Sequence, residues 1–537
     1  MFNKISTKHI TADIFGGLTA AVIALPLALA FGVSSGAGAI AGIYGAILVG
    51  FFAALFGGTP TQVSGPTGPM TVVMALVLTQ MIANNPNSGI ALAFTCVILA
   101  GIFQILFGLL KLGKYFVMVP YPVISGFMSG IGIIIILLQV APLFGLTGYS
   151  NAFNAITHVT ESISNLNITA TIIGACSLAI MFYWPSKLSK FIPAALFSLI
   201  ILTVINTFFL SDYNIPVIGE IPSGFPEMIV PTISSQTLYD VVYFAFLLAV
   251  LGSIDSLLTS MVADTMTESH HLSDKELIGQ GIGNSFAGLF GALPGAGATM
   301  RTAINIRAGG KTALSGISHS VVLLAITLWA GDYAQYIPHT VLAGMLIKVG
   351  IDIIDWRFIG QINRVGLFSA SLMLLVLIMT VFVDLITAVL VGMFIANMVT
   401  LDRLTDIQLD NITFQKGSEI STDETQHIDK KILDNTLLLA IDGPVSFAVS
   451  RELSRRLTEH IDFNTLIIDL SQAKLIGTTT SIMVVDLVER TKANNKQVFI
   501  ITGNENIKQS LHKLDLDTLL DLKYQFHYKE QAFQSLK

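Results

Sequence analysis

Two short stretches, Ser64-Gly-Pro-Thr-Gly-Pro-Met70 and Pro294-Gly-Ala-Gly-Ala-Thr-Met300, break otherwise apolar sequence with glycine and proline. Inside a bilayer, non-helical backbone survives only where protein or water satisfies its polar groups. The breaks therefore predict extended backbone leading into half-helices. Each half-helix start presents free N–H groups and a partial positive charge, which together suit an anion. Thr67 and Gly68 begin the first half-helix; Ala298 and Thr299 begin the second. Arg301 follows closely. An intramembrane arginine is costly and usually functional, so it reads as a full positive charge supporting the two helix dipoles. The competing reading is an arginine that snorkels to the membrane edge, because Arg307 is near. Asp255 lies within Val-Leu-Gly-Ser-Ile-Asp-Ser-Leu-Leu-Thr-Ser, with Thr259 one turn on along the same face. A carboxylate, a hydroxyl and nearby carbonyls suit a hard cation or a proton; a structural ion pair with Arg301 is the alternative. Asp264, Glu268, His270 and His271 read as a solvated loop face, not a metal site.

The elements that must position these residues are membrane spans. Only 12% of the 537 residues are charged, and they are unevenly spread. Residues 1–400 hold 13 Lys/Arg and 15 Asp/Glu, about 7% charged; residues 401–537 hold 16 and 20, about 26%. The first part reads as a polytopic membrane domain and the second as a soluble domain. Twelve apolar stretches are long enough to span: roughly 14–32, 40–57, 90–110, 121–142, 168–184, 193–210, 241–263, 277–292, 314–331, 339–356, 366–383 and 384–401. The two broken segments bring the count to 14. With the N-terminus inside, Lys111, Lys114, Lys187, Lys190, Lys275, Arg307, Lys311, Arg357 and Arg364 all fall on the cytoplasmic side. The net charge of −6 offers no basic field for nucleic acid. Cys96 and Cys176 read as buried thiols in apolar segments. No cleavable signal peptide is apparent at the N-terminus.

The halves resemble each other. Phe52-Ala-Ala-Leu-Phe-Gly-Gly-Thr-Pro60 aligns with Phe286-Ala-Gly-Leu-Phe-Gly-Ala-Leu-Pro294, and Pro120–Gly126 with Pro338–Gly344. Fourteen segments divide as seven plus seven, and an odd number reverses the second repeat across the membrane. This is the inverted repeat of secondary transporters, whose paired broken segments mark the binding site. The expected domains are a transmembrane domain over 1–405 (repeats about 10–212 and 238–402), a polar linker or excursion over 406–430, and a soluble α/β domain over 431–537. In the last, strands over 436–441, 465–470 and 497–502 alternate with helices over 447–457 and 479–494.

These residues resemble the SulP family of anion transporters, the sulfate permease type. The specific pieces are Gly57–Val73, Gly279-Gln-Gly-Ile-Gly-Asn284 and Gly295–Asn305. Within the family the chain is most similar to the sodium-dependent bicarbonate transporters of cyanobacteria. The resemblance implies inverted repeats split into core and gate domains, a cytoplasmic STAS domain and a homodimer. It implies sodium ligands at Asp255, Thr259, Gly297, Ala298 and Thr299, and bicarbonate contacts at Thr67 and Ala298. One departure stands out. The bicarbonate branch carries glycine where this chain has Arg301; many other members, animal anion exchangers among them, carry arginine. In the soluble domain, phosphorylated relatives carry Asp-Ser-[Ser/Thr]-Gly at the signature loop. Here Gly477 replaces the aspartate and Thr478 takes the phosphoacceptor position, so a structural or dimerising role is expected.

The reading is a multi-pass transporter of the bacterial inner membrane, with its N-terminus and STAS domain in the cytoplasm. It moves a small inorganic anion, bicarbonate first, by symport with Na⁺. The alternatives are a proton-coupled sulfate or dicarboxylate transporter, an anion exchanger, or a membrane-anchored STAS regulator. Enzymatic activity has no support from a nucleophile–base constellation or a phosphate loop.

Overall fold

The computed structural model describes residues 3, 9–116, 118–149, 151–185, 187–188, 192–219, 228–231, 234–410, 412–420, 428–445 and 463–536. The helix expected over 447–457 lies outside them. The chain forms two compact units, Met1–Met393 and Phe394–Lys537.

In the first unit, helices appear at all fourteen expected segments. Those of the first repeat are α1 (Ile10–Ser34), α2 (Ala39–Phe56), α3 (Gly68–Asn84), α4 (Gly89–Leu109), α5 (Tyr121–Leu143), α6 (Ile168–Tyr183) and α7 (Ala194–Phe209). Those of the second are α8 (Leu238–Thr267), α9 (Ser273–Leu289), α10 (Thr299–Arg307), α11 (Ala313–Ala330), α12 (His339–Ile353), α13 (Leu367–Phe382) and α14 (Leu385–Asp410). Among the described residues, six helices are long and apolar enough to cross a membrane by themselves. The third helix of each repeat, α3 and α10, starts after a two-residue strand: β1 (Ser64–Gly65) or β2 (Ala296–Gly297).

Packing separates the helices into two groups. In one, α4 and α2 pack on α9, α1 and α2 on α11, and α4 on α8. In the other, α5 packs on α12 and α13, and α6 on α7 and α12. Small residues set these approaches. A Cβ on Gly101 of α4 would lie 2.4 Å from the Gly281 carbonyl of α9, and one on Gly281 would lie 2.5 Å from the Gly101 carbonyl. In the other group, a Cβ on Gly132 would lie 2.5 Å from the Gly350 carbonyl, and the reverse distance is 2.8 Å. Lipid offers no hydrophobic drive between helices, so backbones are drawn close by van der Waals contact that only glycine permits. The repeat shows itself directly in one contact. Phe52 and Phe286, the first residues of the matched segments, stack with centroids 4.1 Å apart.

The second unit is a five-stranded sheet in the order β3 (Ile412–Lys416), β4 (Thr436–Ile441), β6 (Thr465–Asp469), β8 (Gln497–Ile501), β9 (Gln525–Phe526), antiparallel at β3–β4 and parallel elsewhere. A small parallel pair joins β5 (Gly443–Val445) to β7 (Ala473–Ile476). Helices α15 (Thr478–Ala493), α16 (Glu505–His512) and α17 (Lys529–Gln534) complete the unit. The central strands are apolar without alternation because both faces are buried. Leu466, Ile468, Val498 and Ile500 face one core; Ile467, Phe499 and Ile501 face the other. Strand β3 falls where a polar linker was expected. Its Ile412 and Phe414 face the sheet core while Gln415 and Lys416 stay exposed, an amphipathic edge strand that composition alone disguised. Thr478 stands exposed as the first residue of α15.

Candidate anion and cation site at the crossing of two half-helices

The site begins with the pairing of the broken segments. β1 and β2 pair antiparallel, Ser64 opposite Gly297 and Gly65 opposite Ala296. The Ala298 N–H adds a bond to the Val63 carbonyl (2.9 Å), and the Val63 N–H donates to the Thr302 hydroxyl (3.0 Å). Two chain reversals that would leave orphaned polar backbone in the membrane therefore satisfy each other. This cross-link brings the two half-helix starts together. Thr67 is the extended residue before α3, with Pro69 in the first turn, and Ala298 is the extended residue before α10. Neither start is capped by its own side chain.

Helix α8 holds this crossing from the side. The Ser256 hydroxyl accepts from the Gly297 N–H (3.1 Å). The Thr259 hydroxyl donates to the Gly297 carbonyl (2.9 Å). It also lies 2.7 Å from the Thr299 hydroxyl, and since its own proton is engaged, Thr299 is the donor there. Between them, Asp255 is 7% exposed and accepts a hydrogen bond from the Thr67 hydroxyl at 2.7 Å. Asp255 also lines a cleft with Val123, Phe127, Leu251, Leu258 and Val389. The expected cation set of Asp255, Thr259, Gly297, Ala298 and Thr299 is thus contiguous. Of the expected anion set of Thr67, Gly68, Ala298, Thr299 and Arg301, the first four border it and Arg301 lies behind, against the Pro66 carbonyl. Thr299 is exposed, whereas Thr67, Gly68 and Ala298 are buried, so access comes past the start of α10.

Arg301 neither snorkels nor pairs with Asp255. It is 2% exposed, and its Nη2 donates to the Pro66 carbonyl at 2.8 Å. Its Nη1 has no hydrogen-bond partner among the described residues. A Cβ on Gly65 would lie 2.7 Å from that Nη1, so glycine at 65 makes room for the guanidinium. The charge sits behind the crossing and braces the first half-helix from the second repeat. Of the inner-loop residues, Glu268 and His270 are exposed, whereas Asp264 and His271 are partly buried. Asp264 Oδ2 lies 2.6 Å from His271 Nδ1, and His271 Nε2 lies 2.9 Å from the Ser273 hydroxyl, closing the loop between α8 and α9. No cluster of metal-ligating side chains occurs among the described residues.

Three supporting residues were given no role by the sequence reading, although Gln280 and Asn284 lie in its Gly279–Asn284 motif. Glu276, Gln280 and Asn284 recur every four residues on one face of α9, all buried. Glu276 accepts four hydrogen bonds: from the Gly58 and Thr59 N–H groups (2.8 and 2.9 Å), and from Gln62 and Gln280 (both 2.8 Å). Gln280 also donates to the Ser64 hydroxyl (2.6 Å). Asn284 clasps Gly295 at both its N–H (2.7 Å) and its carbonyl (2.9 Å). The signal was present as a polar stripe at helical spacing in a membrane helix.

Comparison with known proteins bears on the family and the fold. The sulfate permease family profile matches residues 10–376, and the STAS domain profile matches residues 427–530. The chain is 45% identical over 523 residues to the bicarbonate transporter BicA of Picosynechococcus sp., a match covering 96% of this chain and 92% of that protein. The solved transmembrane domain of a cyanobacterium bicarbonate transporter BicA is 50% identical and superposes with a TM-score of 0.68, covering 72% of this chain and 99% of that one. The overall structure of SLC26A9, 18% identical, shares the fold at a TM-score of 0.84 over 99% of this chain and 91% of that one. With paired half-helices, two repeats and a C-terminal α/β unit in place, this chain belongs to the sulfate permease family and carries a STAS domain.

Proposed function

We propose that this protein is a secondary active transporter that carries bicarbonate together with Na⁺ by alternating access. The observation that carries the reading is the β1–β2 crossing, which sets Thr67 and Ala298 against Asp255 and Thr259. The anion lies between the half-helix starts, met by backbone N–H groups of Gly68 and Thr299 and by the partial positive ends of α3 and α10. Na⁺ takes the Asp255 carboxylate, the Thr259 and Thr299 hydroxyls and the Gly297 carbonyl, an all-oxygen set suited to a hard cation. Neighbouring opposite charges favour joint occupancy, so each ligand raises the affinity for the other. The group built on α1–α4 and α8–α11 carries both ligands past the group built on α5–α7 and α12–α14.

The protein spans the bacterial inner membrane many times, with its N-terminus and STAS domain in the cytoplasm. Lysine and arginine accumulate in the loops on that side. Thr299, the first residue of α10, is exposed, which supports a site that is accessible at this half-helix start. The functional form is a homodimer to which the STAS domain contributes. Names of the relatives support transport and give no support to an enzyme.

A second reading has one observation in its favour. Arg301 is a full buried charge behind the site, which suits a divalent anion such as sulfate or a dicarboxylate, coupled to H⁺ or exchanged. One experiment decides between them: uptake of radiolabelled bicarbonate, sulfate and succinate into proteoliposomes, with and without a sodium gradient. Sodium-driven bicarbonate accumulation is expected. Sulfate or succinate uptake that ignores sodium would replace it with the second reading.

A further inference from the structure

A hydroxyl has one proton to give. In this structure the Thr67 hydroxyl gives it to Asp255 Oδ2 at 2.7 Å. Thr67 is also the residue from which the first half-helix starts, where the anion is placed. The same donor is thus claimed by the group that holds the cation and by the anion. Among the described residues this is the one hydrogen bond made by the Asp255 carboxylate. Both residues are less than a tenth exposed, so water cannot readily take the place of either partner.

We infer that the Thr67 hydroxyl is the coupling element of the transporter: bound to Asp255 when the cation is absent, and released to donate to the anion when Na⁺ occupies the carboxylate. The inference rests on the symport reading above and specifies how its two sites communicate. Without sodium, an arriving anion finds its hydroxyl donor turned away and a bare carboxylate nearby. Both effects weaken binding. With sodium on Asp255, the carboxylate's lone pairs are drawn to the cation and the Thr67 O–H is free to turn. Thr71 leaves this rotation unhindered, because its hydroxyl is tied to the Thr67 carbonyl (2.7 Å), not to its side chain. Thr259 and Thr299 play no part in the switch. Their hydroxyls are chained to the Gly297 carbonyl, on the cation side.

The test is the sodium dependence of the apparent KM for radiolabelled bicarbonate in proteoliposomes of the full chain, measured for wild type, Thr67→Ser and Thr67→Val. Wild type and Thr67→Ser should show a KM that falls roughly fivefold or more as sodium rises. Thr67→Val should show a raised KM that responds to sodium much less than the wild type, with only the charge effect left, while sodium still stabilises the purified protein against heat. Asp255→Ala separates the hydroxyl from bulk electrostatics. It should improve sodium-free bicarbonate affinity, and that gain should shrink in the Thr67→Val/Asp255→Ala chain, as a double-mutant cycle would report. Thr67→Ala replaces the valine variant if the latter does not fold. If Thr67→Val keeps the wild-type KM response to sodium, or the Asp255→Ala gain is the same size in both backgrounds, the hydroxyl is not the coupling element. A wild-type chain whose bicarbonate affinity ignores sodium would overturn the symport reading as well.

Discussion

The two half-helix starts are made alike by the repeat and have been put to different uses. The first is sheltered: Thr67, Gly68 and Pro69 are buried, and its threonine hydroxyl reaches across to the other repeat's Asp255. The second is open and charged: Thr299 and Met300 are exposed, and Arg301 reaches back to the Pro66 carbonyl of the first. The first start is thus engaged by two side chains of the opposite repeat, Asp255 and Arg301. Backbone pairing between β1 and β2 is shared equally, but hydroxyl and charge are not. An inverted repeat supplies matching scaffolds, and specificity comes from breaking the match. The same division appears in the anchoring loops. One helix, α9, serves both, holding the first loop through Glu276 and the second through Asn284.

The largest effect should come from the residue where the halves meet. Asp255→Asn removes the cation's charge partner, and sodium stimulation of uptake should vanish in assays comparing sodium with choline; unchanged stimulation would remove Asp255 from the cation site. Glu276→Ala should be next. Four donors then lose one acceptor, two of them backbone N–H groups, and stability should fall by about 3 kcal/mol or more. Thermal denaturation in detergent measures this, and a shift no larger than that of an exposed-loop substitution would show that the first loop is held some other way. Asn284→Ala frees the N–H and carbonyl of Gly295 and the side-chain carbonyl of Gln104, and should cost about 1–3 kcal/mol by the same assay. If it proves the more damaging of the two, the second half-helix is the one that organises the site. Arg301→Gly introduces the glycine that the family resemblance implies for the bicarbonate branch. It leaves the Pro66 carbonyl without its donor, and the expected result is a shift in selectivity away from sulfate in competition uptake, with bicarbonate transport retained.

The smallest effect lies in the STAS domain. A hydrogen bond from Gln525 (3.0 Å), with lesser help from His512, holds the Asp517 carboxyl below its ordinary value. A carboxyl lowered on folding contributes stability above its unfolded value and loses it as pH falls through the folded one. The side chain is solvent-exposed, so the contribution should stay under about 1 kcal/mol. Hydrogen exchange of α16 and β9 in the full chain should accelerate slightly as pH drops through the carboxylate range. The Asp517→Asn chain should lack that dependence.

Much of the molecule was legible before folding. Residues 1–400 are so sparsely charged that each span stands out, because a bilayer imposes a length and an apolar composition on every crossing. Gly65, Pro66, Gly295 and Gly297 announced the half-helices, since only broken backbone needs them there. The STAS strands 465–469 and 497–501 announced themselves as uninterrupted β-branched and apolar runs. Strand β3 did not, because an edge strand with one wet face looks like a polar linker. Glu276 did not, because its value lies in four donors, three of them from residues more than two hundred positions away.

What the sequence determined by itself is the set of local choices: which segments cross, where helices break, and which few polar residues enter the membrane. Those follow from short-range physics, the hydrophobic length of a span and the conformational needs of glycine and proline. Only the tertiary structure decided the pairings: Ser64 with Gly297, Thr67 with Asp255, Arg301 with the Pro66 carbonyl. Each joins residues about two hundred positions apart, and hydrogen bonds at such separation are set by how whole helices pack. These long-range bonds join the two halves of the site, and nearer ones from Ser256 and Thr259 to Gly297 and Thr299 complete it.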